Sequence, residues 1–399
     1  MNIDYSKIKI LYYTWDEIVN KRALDGFRRM GINVEIFKEK RNSYDYDDIF
    51  EKSLINKLKT VNYDFVFTFN YFPIISRCCK KVNVKYVSWV YDSPHTSLES
   101  NTLDNACNRV FIFDKVLCER YIDKGNTHIY HMPLASDAVG VANALTNEND
   151  GTNYEISFVG NINFNKDYLS EAYLSAKNKD IENEKLQYLM GYLEAYINST
   201  IQFAGEDMAC YIPNEIIGEL SKLLDIKLGE EYKKDDAFHI RNIIREKLTI
   251  NERYTTLALL GKNHKVDWFS EKQVAIPGVI SHGAVDYNVG MNKVFAQSKI
   301  NLNITLRSII SGIPLRIFDI LAAGGFCLTN YQKEIEDYFE IGKEIEVYYN
   351  LSDLQNKVEF YLQNEDIREK IAENGQKRIE NHYSYEKVFG RIIETVLCQ

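Results

Sequence analysis

The first third of the 399-residue chain alternates short apolar runs with amphipathic helical patterns. The strand candidates are KIKILYYT, NVEIFKE, DFVFTFN, KYVSWVYD, RVFIFD and HIYHMP, and helical patterns such as DEIVNKRALDGFRRMG lie between the first of them. Strongly apolar strands that alternate with helices are typical of a parallel sheet with helices on both faces. The sequence therefore predicts an α/β domain over residues 1–135.

A second series of the same kind follows a small, polar segment, which we interpret as a linker at 136–153. Its strand candidates are YEISFVGNI, YTTLALLG, KVDWFS, VISHG, INLNITL and IEVYYN. Between the first two of these the sequence is helical and rich in Glu, Lys and Leu, which predicts a helical insertion at about 165–250. We assign the second domain to 154–375, and the remaining residues, 376–399, read as helix.

Bulk composition restricts the partners and the compartment. With 48 basic and 57 acidic residues the formal net charge is −9, which argues against a nucleic-acid partner because phosphate contacts favour a basic face. The seven cysteines are odd in number and none has C-x-x-C spacing, as expected of free thiols in a reducing compartment. No apolar run approaches the roughly 18 residues that span a bilayer. We expect a cytoplasmic protein with no transmembrane segment.

Two charges lie near the start of an otherwise apolar helix in SGIPLRIFDILAAGGFCLTN, residues 311–330. Pro314 suits the first helical position, and Arg316 in the first turn opposes the helix dipole unless an anion binds there. Free N–H groups at a helix N-terminus and a planar guanidinium both bind phosphate. Asp319 lies one turn further on the same side and can accept hydrogen bonds from a diol. The spacing suits a nucleotide diphosphate, with Arg316 on phosphate and Asp319 on ribose; the alternative is an (i, i+3) ion pair.

The ends of neighbouring strands supply further candidates, because ligands of open α/β sheets bind beyond the carboxyl ends of the strands. Gly160 and Asn161 would permit close approach of the backbone. Arg307, just after a strand, is a second phosphate candidate, with a solvated loop arginine as the alternative. His282 would contact the donor or simply pack. Gly312 and Ile313, directly before the helix, belong to the same anion site.

These segments carry a resemblance to a known family. SGIPLRIFDILAAGGFCLTN, followed by EIEVYYNLSDLQNKVEFYLQNEDIREKIAENGQKRI, resembles the C-terminal domain of GT-B glycosyltransferases, and in particular the CgeB-like, spore-maturation group. SHGAVDYNVGMNKVFAQSKINLNIT, EISFVGNI, SWVYDSPH and HMPLASD are similar to the same group. The resemblance implies an α/β protein of two Rossmann-like domains facing a cleft. The donor nucleotide would lie on the C-terminal domain and the acceptor on the N-terminal one, and the final helix, 376–399, would cross back to the first domain.

The resemblance also implies roles for single residues. Asp319 matches the family's ribose-binding acid. Ser311 stands where many retaining members carry a glutamate, which speaks against a retaining mechanism assisted by that glutamate. Residues 280–283 match the segment that holds the base through its backbone. Tyr287 would stack on the base, with a core tyrosine as the alternative.

At the rim of the first sheet, SWVYDSPH runs from a strand into a turn and places Asp92 and His95 toward the cleft. Inverting transfer needs a base to take the proton of the acceptor hydroxyl, and His or Asp suits that role. His95, oriented by Asp92, is the candidate base. The alternative is that Asp92 caps the turn and His95 is a surface residue.

The resemblance implies a glycosyltransferase that moves a hexose or N-acetylhexosamine from a nucleotide-diphosphate sugar to a hydroxyl of a protein or glycan. A UDP-sugar is the first candidate for the donor. No cofactor or metal is expected, because we interpret the D-x-D at 45–47 as a solvated turn and no metal-ligand spacing occurs. The helical insertion is a candidate for acceptor recognition or homo-oligomerisation. Two alternatives remain, a nucleotide-sugar 2-epimerase of the same fold and a non-catalytic nucleotide-binding scaffold.

Overall fold

The computed structural model describes residues 3–145, 153–162, 169, 183–201, 203–224, 229–272 and 274–398. Residues 146–152 of the predicted linker lie outside the described residues. So do 165–168, 170–182, 202 and 225–228 of the predicted helical insertion. Among the described residues, none of the helices combines the length and the apolar composition that crossing a membrane requires.

The N-terminal half contains a six-stranded parallel sheet in the order β2-β1-β3-β4-β5-β6. Its strands are β1 Lys9–Tyr13, β2 Asn33–Phe37, β3 Phe65–Phe69, β4 Lys85–Val90, β5 Asn108–Ile112 and β6 Ile129–His131. Its helices are α1 Asn20–Arg29, α2 Asp48–Thr60, α3 Pro73–Val82 and α4 Lys115–Asp123. All six strands predicted for this half form. The central strands β3, β4 and β5 are almost wholly buried, whereas β2, at the edge of the sheet, leaves Asn33 and Ile36 exposed.

Alternation along the strands divides the core of this sheet between its two faces. Tyr12 and Phe67 pack on the face covered by α1. Tyr13 and Val66 pack on the opposite face, against α2 and α3. The sheet is therefore a buried central layer, and the carboxyl ends of its strands are left to present polar side chains.

The predicted linker begins with a short helix, α5 Ala138–Leu145. Val141 in this helix is fully buried in the core that also contains helices of the C-terminal half. Ala138 and Val141 are the buried residues of this helix, so the first part of the predicted linker packs on the core.

The C-terminal half contains a second six-stranded parallel sheet in the order β12-β11-β10-β7-β8-β9. Its strands are β7 Tyr154–Val159, β8 Val266–Phe269, β9 Val279–His282, β10 Ser298–Asn303, β11 Cys327–Asn330 and β12 Glu346–Tyr348. The strand order reverses between β7 and β10, which lie side by side. Crevices at such reversals are where ligands of open α/β sheets bind.

Three helices form the described part of the insertion: α6 Asn183–Thr200, α7 Asn214–Leu224 and α8 Asp236–Leu260. They share an apolar cluster that includes Ile197, Ile217 and Ile244. The strand predicted at 254–261 is wrong, because these residues are the last turns of α8. Leu257 and Leu260 are buried at helical spacing and pack on the second sheet.

The remaining helices are α9 Gly290–Ala296, α10 Leu315–Ala322, α11 Ile335–Tyr338, α12 Leu351–Gln363, α13 Glu365–Arg378 and α14 Tyr385–Leu397. The last of these, α14, packs on α1 of the N-terminal half. The rings of Phe27 and Phe389 stack with centroids 3.8 Å apart. A Cβ at Gly26 would lie 2.9 Å from the Cβ of Tyr385, so the glycine permits the close approach of the two helices.

A buried polar network also joins the two halves. Asp114, at the N-terminus of α4, accepts a hydrogen bond from the backbone N–H of Ile310 at 2.6 Å and lies 3.0 Å from the hydroxyl of Ser311. The same hydroxyl donates to Glu334 at 2.7 Å, and Glu334 lies 2.8 Å from Nε2 of His131. Ser311 thus takes part in the contacts that hold the two halves together.

Candidate functional site

A cavity of about 520 Å³ lies between the carboxyl edges of the two sheets. Seven of the candidate catalytic and donor-binding residues line it: Asp92, His95, Gly160, Asn161, Tyr287, Arg316 and Asp319. Residues that follow β7 and β10, the strands flanking the reversal of the second sheet, contribute one wall. Residues that follow β4 of the first sheet contribute the facing wall.

Helix α10 points its N-terminus into this cavity. Pro314 is the residue before the first helical position, and its side chain makes no cap hydrogen bond. Pro314, Leu315 and Arg316 all line the cavity. The uncapped first turn therefore has N–H groups and a positive dipole end available to an anion.

Arg316 and Asp319 form a loose pair, with Nη1 of Arg316 lying 3.9 Å from Oδ2 of Asp319. The arginine side chain is 28% exposed and that of the acid only 1%. The ion pair considered as the alternative therefore exists, but the two side chains also share the interdomain cavity. The guanidinium, whose Nη1 also contacts Sδ of Met291, is the more exposed group and can contact a ligand there.

Side chains from both halves of the chain contact Asp319. Its Oδ1 accepts hydrogen bonds from the hydroxyls of Ser136 and Tyr287, each at 3.1 Å, and lies 3.6 Å from Nη1 of Arg22. Burial raises the pKa of this carboxyl, whereas Arg22 and Arg316 act in the opposite direction. The two arginines favour the ionised form, the form that accepts hydrogen bonds from hydroxyls.

The hydroxyl of Tyr287 donates to Asp319, and the guanidinium of Arg22 covers one face of the Tyr287 ring. A nucleotide base therefore cannot stack on that face. The guanidinium of Arg22 lies 4.3 Å from the ring centroid. It also donates to the carbonyls of Tyr287 and Asn288, at 2.7 and 3.1 Å. Arg22, on α1, thus connects the first domain to the loop before α9 and to Asp319, a role that nothing in its local sequence indicates.

Arg253 is a second cation in the cavity that the sequence did not indicate. It comes from α8 and donates to the carbonyls of Asn161 and Ile304, which follow β7 and β10. Burial is the main cause that lowers its pKa to about 10, and the charge of Arg316 acts in the same direction. Two neighbouring guanidinium groups of this kind create a locally positive site that an anion would stabilise.

Arg307 lies away from the cavity and is held in a buried ion pair. Its Nε and Nη2 donate to Glu252 at 2.7 and 3.0 Å, and its backbone N–H donates to Thr249 at 2.9 Å. Both charged side chains are nearly inaccessible, at 7% and 3% exposure. Arg307 thus holds α8 against the loop after β10, because Glu252 and Thr249 both lie on α8.

His282, Gly312 and Ile313 also lie outside the cavity lining. His282 bonds through Nε2 to Asp267 at 2.8 Å and stacks on Phe269. Gly312 packs at the domain interface, where a Cβ would lie 2.9 Å from the Cα of Asp114. Ile313 is buried in the core. Packing accounts for all three positions in the structure.

On the facing wall, Nε2 of His95 lies 2.9 Å from the carbonyl oxygen of Tyr71 and 3.1 Å from its N–H. Burial lowers the pKa of His95, which keeps the imidazole neutral near pH 7. Asp92 accepts a hydrogen bond from Asn70 at 2.7 Å. It influences His95 through its charge, which acts to raise that pKa. The backbone of Tyr71, and not Asp92, contacts the ring nitrogen.

The D-x-D segment has structural partners. Asp47 accepts hydrogen bonds from the N–H groups of Ile49 and Phe50 and so caps α2. Asp45 accepts one from the hydroxyl of Tyr232 at 2.8 Å. Within the described ranges, no three His, Cys, Asp or Glu side chains are grouped as metal ligands.

Residues 240–394 match a family model described as "Glycosyl transferase-like". The match begins in α8 and ends in α14, so it includes Arg253, Arg316 and Asp319. No curated protein is similar enough to the chain to match it.

Several solved structures share the whole architecture. A glycosyltransferase from Rickettsia africae ESF-5 superposes with a TM-score of 0.53 at 12% identity, covering 98% of both chains. Alr3699/HepE from Anabaena, in complex with UDP and glucose, gives 0.51 at 10%, covering 98% of this chain and 100% of the other. An α-glucosyltransferase in complex with UDP and a 13-mer DNA gives 0.54 at 11%, with the same coverage. The chain therefore has the GT-B fold expected from the resemblance.

Proposed function

We propose that this protein is a glycosyltransferase that binds a UDP-sugar between its two domains and transfers the sugar to a hydroxyl of a protein or glycan. The observation that carries the proposal is the presence of Arg316 and Asp319 together on one interdomain cavity, at the start of α10. The cavity volume lies in the range of about 300–1,000 Å³ that is typical of small-ligand sites. Within the glycosyltransferases we place the chain in the CgeB-like group.

The diphosphate would lie at the N-terminus of α10. Arg316 offers a guanidinium, the first turn offers N–H groups, and Arg253 adds a second positive charge close by. Negative charge grows on the diphosphate as its bond to the sugar breaks. Fixed donors and cations aimed at that charge stabilise the transition state.

The ribose would lie against Asp319. Oδ1 of this acid is held by Ser136 and Tyr287, so the carboxylate has a fixed orientation. A diol placed beside it would donate its hydroxyl hydrogens to the carboxylate. Binding of the ribose by Asp319 would explain why this almost completely buried acid lies beside two arginines at the edge of the cavity.

The acceptor would approach from the wall that contains His95. If Nε2–H donates to the carbonyl of Tyr71, the nearer contact, Nδ1 is left as the proton acceptor. The acceptor oxygen attacks the anomeric carbon, its proton passes to Nδ1, and the bond to the diphosphate breaks with both electrons leaving on UDP. We propose inversion, since Ser311 is engaged with Asp114 and Glu334 and no glutamate stands in its place.

UDP is the first nucleotide to test, because two of the three solved structures described above contain it. A cytoplasmic location agrees with seven cysteines that are all free of disulfides. A thermal-shift panel of UDP, GDP, TDP and their sugars tests the proposal, since a ligand that binds only the folded state raises the melting temperature. No stabilisation by any member would contradict it.

Arg316→Ala should weaken UDP binding by about 1 to 3 kcal/mol, the usual value of a charge-assisted hydrogen bond. This corresponds to a rise in Kd of roughly 5- to 150-fold, measured by calorimetry. Arg28→Ala removes an exposed arginine of α1 and serves as the control, with unchanged affinity. An unaltered Kd in a folded Arg316→Ala variant would place the phosphate elsewhere.

A further inference from the structure

Glu246 is an acid of the cavity lining for which the preceding argument has no role. It lies on α8, and its carboxyl has no hydrogen-bond or ion-pair partner within the part of the chain that the structure describes. Burial raises the pKa of this carboxyl, and no neighbouring charge contributes to the shift. A partly buried carboxyl that lines a cavity and has no protein partner is available to a ligand that can donate hydrogen bonds to it.

Helix α8 bridges the cleft. Its N-terminal end is bound to the first domain, where Asp235 lies 2.8 Å from Arg120 of α4 and 3.1 Å from Lys124, the residue after that helix. Its C-terminal end is buried on the second sheet through Leu257. Glu246 lies eleven residues from each of these ends, about 16 Å in either direction at 1.5 Å per residue. Glu246 is therefore midway along α8 between its two anchoring points, and it lines the cavity together with residues of both domains.

The position of Glu246 is also fixed. The buried pair of Arg307 with Glu252 holds α8 against the loop after β10. Arg253, seven residues after Glu246, binds the carbonyls of Asn161 and Ile304. Residues seven apart lie on one face of a helix, which explains why Glu246 and Arg253 both reach the cavity.

We propose that Glu246 recognises the transferred sugar, by accepting hydrogen bonds from its hydroxyl groups. This inference rests on the proposed function. The phosphates belong beside Arg316 and Arg253, and a carboxylate would repel them; the ribose belongs beside Asp319. The group that must lie midway, between the diphosphate on one domain and His95 on the other, is the sugar. A carboxylate at that point favours a neutral hexose and disfavours an anionic uronate.

Calorimetry with UDP, UDP-glucose, UDP-GlcNAc and UDP-glucuronate tests the proposal. Glu246→Gln should leave the Kd of UDP within about twofold and raise that of the better-bound neutral UDP-sugar about tenfold, the effect of losing one charged hydrogen bond. The wild type should bind UDP-glucuronate more weakly than UDP-glucose, and the variant should reduce that difference. Asp236→Asn, which removes an exposed acid from the same helix, should change none of these values.

The outcomes separate the two proposals. If the wild type binds neither UDP nor any UDP-sugar, the proposed function fails for this nucleotide. If the wild type binds them and Glu246→Gln weakens UDP and UDP-sugar equally, or weakens neither, the role of Glu246 is wrong. Unchanged discrimination against UDP-glucuronate in the variant would contradict it as well.

Discussion

Arg307→Ala is expected to lower the free energy of unfolding by about 3 to 5 kcal/mol, the usual cost of removing one partner of a buried ion pair. The substitution leaves Glu252 buried at 3% exposure without its counter-charge. Burial already raises the pKa of Glu252, and Arg307 is the first neighbour that opposes this effect. The variant also loses hydrogen bonds to the carbonyls of Ile201 and Glu206 of the insertion.

Urea denaturation followed by far-UV circular dichroism measures this effect, and hydrogen exchange should show the loss of protection concentrated in α8. Arg28→Ala is the control, because that arginine is 63% exposed and pairs with Asp25, which is itself 39% exposed. It should shift stability by less than about 1 kcal/mol. Equal destabilisation by both substitutions would show that the contact with Glu252 is not what holds α8.

The double variant Arg307→Met with Glu252→Leu isolates the pair. Replacing both partners by apolar side chains of similar volume removes the unpaired charge, so stability should recover to near that of the wild type. A double variant as unstable as Arg307→Ala would point to the hydrogen bonds with the insertion as the main contribution.

The contrast between Arg316 and Arg307 shows what the sequence could predict. Arg316 and Asp319 are neighbours on one helical turn, so their spacing alone placed them together. Asp92 and His95 follow a strand directly, and the carboxyl ends of parallel strands meet at one edge. Arg307 also follows a strand, but its partner Glu252 lies 55 residues away, and no local pattern identifies such a pair.

Two further residues of the cavity lining, Arg253 and Glu246, could not be identified from the sequence, because the end of α8 was predicted to be a strand. The apolar run at 254–261 resembles a strand, and short apolar runs do not distinguish a strand from a buried helix segment. Once the run is recognised as the end of α8, Arg253 and Glu246 fall on one face of the same helix. The contact of Arg253 with Asn161 spans 92 residues, so only the folded structure reveals it.

His95→Ala is expected to lower kcat by about 10²- to 10⁴-fold, the usual contribution of a general base, while the Kd of the UDP-sugar changes little. His95 lines the wall opposite the nucleotide residues, so its loss should affect proton removal and not donor binding. His382→Ala, at an exposed position, is the control and should retain full activity. Loss of donor affinity in parallel with kcat would indicate that His95 shapes the cavity.

The pH profile distinguishes the base from a structural histidine. A base must be unprotonated to act, and burial holds the pKa of His95 below its ordinary value of 6.5. The acidic limb of kcat should therefore fall below pH 6.5, with a constant rate above it. Because the charge of Asp92 acts to raise this pKa, Asp92→Asn should move the limb to still lower pH. A limb that remains in place in Asp92→Asn, or that persists in the residual activity of His95→Ala, would assign the titrating base to another group.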